Sequence, residues 1–162
     1  MWQTEDFWQF SLALYQKRGA LCLQLQDSYA MNVNLVLLCL YLQQHGMGIS
    51  QASLPALINS LASTEQVITP LRAVRRQVKG LDGLAYQHLL DAELQLEKRQ
   101  QADLIQCLNR LPVADLGEDN LVLYASVVQP QMPSELTALI AQLQTDAKVD
   151  RGQSELPQQR VK

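Results

Sequence analysis

Arg72, Arg75, Arg76 and Lys79 stand at positions i, i+3, i+4 and i+7, a spacing that on a helix puts four cations on one stripe beside Leu71, Val74 and Val78. Like charges so placed repel one another unless something anionic faces them. One source of anions lies in the chain. Asp91, Glu93 and Glu97 follow in the next predicted helix, and Glu93 and Glu97 are one turn apart on a shared face. Consecutive antiparallel helices would then close an arginine–carboxylate seam, solvated or half-buried. The other source is external: RNA, a nucleotide phosphate or an acidic partner surface. Thirteen Lys and Arg against sixteen Asp and Glu give a net charge of −3. That balance argues against a protein that coats nucleic acid and makes the seam the favoured reading, with a nucleic acid or other anion as the lesser one.

Catalytic constellations are scarce. Only His45 and His88 could serve as imidazole bases. His45 lies beside Gly46 at a predicted helix end, where a partly protonated ring favours the negative end of the helix dipole, so a C-terminal cap is its expected role. His88 precedes Asp91 by three and Glu93 by five, and no Glu-x-x-His or His-x-x-x-His spacing occurs, so no metal site is expected. Phosphate-binding loops, dinucleotide turns, nucleophile elbows and paired aspartates are all missing, which removes nucleotide hydrolysis, Rossmann redox, α/β-hydrolase and prenyl-diphosphate chemistry at the motif level. No cofactor is expected. Asn32 is placed to cap a helix, with Asn34 in its first turn, satisfied by the backbone or facing a ligand pocket. Trp2 and Trp8 read as packing anchors.

The elements that must position these residues are helical. Gly and Pro are sparse, and apolar residues recur at threes and fours, so the class is all-α: a single-domain bundle of about six to eight helices. A first helix should start near Thr4 or Asp6 and break at Arg18-Gly19. Ala20 to Tyr29 alternates at Leu21, Leu23 and Leu25 but also fits helical spacing, and is assigned as helix for want of a partner strand. From Ser28 to Thr64 there are 37 residues without an Asp, Glu, Lys or Arg. Solvated helices carry charges, so this stretch, centred on an apolar helix from Asn32 to Leu42, should be enclosed by the rest. Further helices are predicted over 53–61, from Ser63 or Thr64 to Lys79 with Pro70 kinking it or opening it, over 84–111 as the longest, over 120–128 (where a short strand is conceivable) and over 134–148. The last should bury Leu136, Leu139, Ile140 and Leu143. Residues 1–148 form the expected helical domain. Residues 149–162 lack a periodic apolar face and read as a disordered tail.

Composition bounds the setting. Thirty Leu and twenty-two Gln make up about a third of the 162 residues. Cys22, Cys39 and Cys107 form no Cys-x-x-Cys pair and sit among apolar neighbours, as buried thiols do in a reducing compartment. The first Lys is at position 17, so the start lacks the basic region of an export signal. The longest unbroken apolar run, Leu35 to Leu42, is eight residues, against about 20 for a membrane span. A cytoplasmic protein without a membrane span is expected.

Three stretches carry a resemblance: Asp6 to Phe10, Asn32 to Leu42 with its Val-Asn-Leu start, and Pro70 to Lys79 with Leu71-Arg72-Ala73-Val74-Arg75-Arg76, followed by Glu93 and Glu97. Together they resemble a small proteobacterial family of helical cytoplasmic proteins of unknown function, over roughly residues 4 to 145. The resemblance implies a globular protein and brings no activity, cofactor or catalytic residue. The expected function is therefore non-enzymatic: a binding or adaptor protein that engages a macromolecular partner, most simply a protein, through Arg72, Arg75, Arg76 and Lys79 or through an apolar patch. Two other classes stand beside it. A small-molecule or acyl-chain binder would need an apolar cavity with Asn34 or His45 at its mouth. An enzyme would need His88, Glu93 or Glu97 in a cleft. The oligomeric state is open.

Overall fold

Arg18 and Gly19 do not end the first helix. In the computed structural model, which describes residues 1–112, 114–117 and 119–145, α1 runs unbroken over Thr4–Tyr29. One glycine inside a helix costs only about 1 kcal/mol, and Leu14, Cys22 and Leu25 on either side of it are buried. Packing of those flanks outweighs the glycine, and the Tyr15 ring lies over its backbone. Glu5 and Asp6 in the first turn suit the positive end of the dipole. The helix stops at Ala30, which takes a left-handed φ of 57° while its N–H reaches the Gln26 carbonyl at 3.2 Å.

Six further helices follow among the described residues: α2 (Val33–Gln44), α3 (Leu54–Ser60), α4 (Ala62–Val78), α5 (Gly83–Leu108), α6 (Asn120–Val128) and α7 over 134–145. The all-α expectation holds, and both segments with strand-like alternation are helical. The two strands among the described residues, β1 (Met47–Gly48) and β2 (Ala114–Asp115), pair with each other and are too short to leave a period-2 pattern. Gly48 is required there: a Cβ would meet the Asp115 carbonyl oxygen at 2.5 Å. The tail predicted to be disordered, residues 149–162, lies outside the described residues, as do the final positions of the last predicted helix.

The chain divides into two compact units, Met1–Gln9 with Ile49–Ala114 and Phe10–Gly48 with the described residues from Asp115 on. In the second unit, α2 is the enclosed helix: every residue from Asn34 to Leu42 is buried. Asn32 caps it, its side-chain oxygen accepting from the Leu35 N–H at 3.0 Å, and the Asn32 N–H donates to the Tyr124 hydroxyl at 2.8 Å. Helix α6 packs on α2 and buries Leu121, Leu123, Tyr124 and Ala125, while α7 buries Leu136, Leu139, Ile140 and Leu143, the four residues its spacing predicts.

The first unit holds α3, α4 and α5. Pro70 neither opens α4 nor ends it; it lies inside, on the exposed side. Helix α5 closes at Leu108, three residues short of the predicted end, because Asn109 takes the cap position and turns its side chain to the Trp2 backbone, accepting from the N–H at 2.9 Å and donating to the carbonyl at 3.0 Å. At 26 residues it is no longer than α1, since the expected break in α1 is absent. Its inward face is largely polar: Glu93, Gln100 and Gln101 are buried with Leu104 and Ile105, while Leu94 is exposed.

Candidate functional site

Two antiparallel helices joined by the short turn over 79–82 make the hairpin α4–α5, and its interface is unusually polar. On α4 the inward positions are Leu61, Thr64 and Ile68, continued by the half-buried Leu71, Arg72, Arg75 and Val78. Helical spacing carries this face from apolar and neutral residues straight into two arginines. Opposite them, Gln100 donates to the Thr64 hydroxyl oxygen at 2.8 Å, and that hydroxyl in turn donates to the Leu61 carbonyl at 3.0 Å. Toward the turn, Arg72 donates from Nε to Glu93 Oε1 at 3.1 Å and from Nη2 to Glu97 Oε1 at 3.2 Å, while Arg75 Nε donates to Glu93 Oε2. Both Glu93 oxygens are thus engaged by guanidinium groups. The contacts run antiparallel, from Thr64 with Gln100, through Arg72 with Glu97 and Glu93, to Arg75 with Glu93.

Burial sets the electrostatics. The Glu93 side chain keeps 10% of its exposure and each arginine 18%, so little water competes for these hydrogen bonds. Burial alone would weaken the Arg75 charge, but the Glu93 carboxylate and the Tyr86 hydroxyl outweigh it and push its pKa up. Glu97 is pushed the other way from a simple ion pair: loss of water, with Glu93 nearby, raises its carboxyl above the ordinary range even though Arg72 and Arg75 pull it down.

The four-cation stripe is therefore divided. Arg72 and Arg75 face α5, whereas Arg76 and Lys79 are exposed and make no ion pair with a described residue. Helical angles alone group Arg72 with Arg76 and Lys79. The structure pairs Arg72 with Arg75, because the inward direction is fixed by Leu61, Thr64 and Ile68, which lie toward the Arg75 side. Lys79 has also left the helix, with ψ of 123° at the cap position, so its i+7 spacing no longer applies. Gly80 then takes φ of +87°, Leu81 donates its N–H to the Val78 carbonyl at 2.9 Å, and Asp82 caps α5 by accepting from the Ala85 N–H at 2.8 Å. This ordered turn holds Leu81 and Leu84 outward, 81% and 70% exposed.

The remaining candidates are not brought together. Asn34 lies at the start of α2 and His45 at its C-cap, eleven residues and roughly 16 Å apart by helix rise. They do not share a mouth. His45 is exposed, with its ring edge-on to Tyr41 at 4.8 Å. His88 is exposed, whereas Glu93 and Glu97 turn to α4, so no cleft joins the three. Burial pushes the Cys22 thiol up to about 11 and holds Cys39 higher still, with Asp119 adding to the effect. Thiols so protonated are poor nucleophiles.

Sequence reasoning missed a second polar hub. Asp119 Oδ1 accepts from the Leu121 and Val122 N–H groups at 2.9 and 3.0 Å, and Oδ2 accepts from Gln43 at 3.3 Å and from Gln144. Asn120, buried beside it, donates to the Cys39 and Met47 carbonyls at 3.3 and 2.9 Å. The Asp-Asn pair before an apolar run was a capping signal. The glutamine partners, far away in sequence, left none.

Among the described residues no group of His, Cys, Asp and Glu could hold a metal ion, and no helix is long and apolar enough to cross a membrane. Comparison with curated proteins and with solved structures finds no match. A family model described as protein of unknown function (DUF2390) matches residues 6–104, from the first turns of α1 through the whole arginine–glutamate seam, and the chain belongs to that family.

Proposed function

We propose that the chain is a cytoplasmic, non-enzymatic binding protein of adaptor type that engages a macromolecular partner through the exposed side of the α4–α5 hairpin. The observation that carries this reading is the division of the stripe. Arg72 and Arg75 are held by Glu93 and Glu97, which suits a structural role, while Arg76 and Lys79 remain in solvent toward the turn that carries exposed Leu81 and Leu84. A charged pair next to apolar side chains is the composition of a binding surface. Three free cysteines, Cys22 and Cys39 buried and Cys107 only half-buried where full burial was expected, suit a reducing cytoplasm.

Capture from native extract tests it. Arg76→Gln with Lys79→Gln should leave the melting temperature unchanged and reduce partner retention, and retention by the unaltered chain should fall as salt rises. If retention survives that pair of substitutions and is insensitive to salt, the basic face is not the binding surface.

A further inference from the structure

Resting on that reading, we infer that the tip of the α4–α5 hairpin is a docking point for a protein segment that presents apolar side chains flanked by carboxylates. Leu81 and Leu84 are, after the terminal Met1, the most exposed large apolar residues of the described chain. They are not loosely placed. The left-handed Gly80, the Leu81 bond to Val78 and the Asp82 cap fix the turn, so the two side chains lose little further backbone freedom on binding. Lys79 adjoins them in sequence and Arg76 lies one turn back on α4, each without an ion-pair partner among the described residues.

Charge selects the occupant. Two cations beside two leucines complement a segment in which acidic residues flank an apolar stripe, as on an amphipathic helix. A second copy of the chain fits poorly, because an isologous contact would set the same cations against each other. An anionic bilayer also fits less well, because two leucines bury less apolar surface than the single acyl chain whose membrane binding is already marginal. Asp82, exposed between the leucines, faces the apolar stripe of the segment and not its acidic flanks in the pairing proposed.

The test uses the full chain and a fluorescein-labelled synthetic helix of about 18 residues, with Leu at i, i+3, i+4 and i+7 and Glu on both flanks. Binding is expected, with about tenfold weakening when Lys replaces Glu in the probe or when the chain carries Leu81→Ser with Leu84→Ser. Arg76→Gln with Lys79→Gln should weaken it roughly threefold and flatten its salt dependence. Leu94→Ser, at an exposed leucine elsewhere on α5, should change nothing, and all variants should melt as the unaltered chain does. The inference is overturned by absent binding, or by equal binding of the Leu81→Ser, Leu84→Ser chain. It is equally overturned if poly-glutamate or duplex RNA binds without regard to the leucines, if phosphatidylglycerol vesicles bind and the probe does not displace them, or if sedimentation shows a dimer that Leu84→Ser dissolves. Retention from extract that depends on Arg76 and Lys79 but not on the leucines would sink the tip and leave the broader reading standing. Retention that depends on neither would sink both.

Discussion

Helix α2 and the α4–α5 hairpin bury side chains by opposite means. In α2, nine consecutive positions from Asn34 to Leu42 are enclosed, and seven of them are Leu, Val or Cys. In the hairpin, the enclosed positions include Glu93, Gln100 and Thr64 with the arginines half-covered, while Val67, Val74 and Leu94 are left in solvent. An apolar helix gains by area removed from water, about 25 cal/mol per Å², and the gain hardly depends on which leucine meets which. A polar seam gains less on balance but is specific. Sliding α5 by one turn would leave Glu93 without its guanidinium partners, at the full cost of a buried unpaired charge. The first region supplies stability, and the second fixes a register.

The largest effect should follow from putting a charge into α2. Leu38 is fully buried, and Leu38→Asp leaves a carboxylate without a partner, a loss of roughly 4–5 kcal/mol or more that should unfold the chain or make it insoluble. Leu94→Asp on α5 should change stability by no more than about 0.5 kcal/mol. Thermal melting followed by circular dichroism reads both. A Leu38→Asp chain that melts normally would erase the contrast between the regions.

A middling effect separates the seam's specificity from its stability. Glu93→Ala leaves Arg72 and Arg75 without their shared carboxylate and should cost about 2–3 kcal/mol, less than for a fully buried pair because both arginines keep some contact with water. The fourfold variant Arg72→Met, Arg75→Met, Glu93→Leu, Glu97→Gln, which also removes the carboxylate that loses Arg72, should recover most or all of that loss, since a packed apolar replacement of a buried ion pair is often neutral or stabilising. If the fourfold variant is less stable than Glu93→Ala, the ion pairs are net stabilising and the hairpin resembles α2 more than the comparison allows.

The same contrast governs what could be read from the sequence. The enclosure of α2 was legible in its apolar run from Leu35 to Leu42, but the same expectation for all of 28–64 does not hold: Gln44, His45, Gln51 and Asn59 are exposed, because neutral polar side chains solvate a surface without formal charge. The pairing of the arginines with Glu93 and Glu97 was legible as a reading, because cations at helical spacing need anions. Which arginines turn inward was not, since that depends on Leu61, Thr64 and Ile68, whose direction relative to the cations settles the face and was left out of the spacing argument. The continuity of α1 through Gly19 was hidden for a related reason: a local helix-breaking signal of about 1 kcal/mol is overridden by flanking burial that only the folded chain reveals. Gln43 and Gln144 around Asp119 had no local signal at all, because neutral amides carry neither charge pattern nor periodicity.

The smallest effect is a test of pH. Glu97 shares Arg72 with Glu93 but keeps 30% of its side-chain exposure, and its carboxyl is raised by loss of water and by Glu93 despite the arginines. The folded chain therefore holds a proton on Glu97 more readily than the unfolded chain does. The stability this contributes is fully present below the ordinary carboxyl range, is lost as pH rises through the raised folded value, and leaves a constant cost above it. Glu97→Gln removes the titration while its amide oxygen can still accept from Arg72. Relative to the unaltered chain, the variant should gain in melting temperature as pH rises above the ordinary carboxyl range, with a net difference of no more than about 1 kcal/mol at neutral pH. A difference that instead becomes more unfavourable as pH rises would mean that the Arg72 bond governs Glu97 and that the whole seam behaves as one strong ion pair.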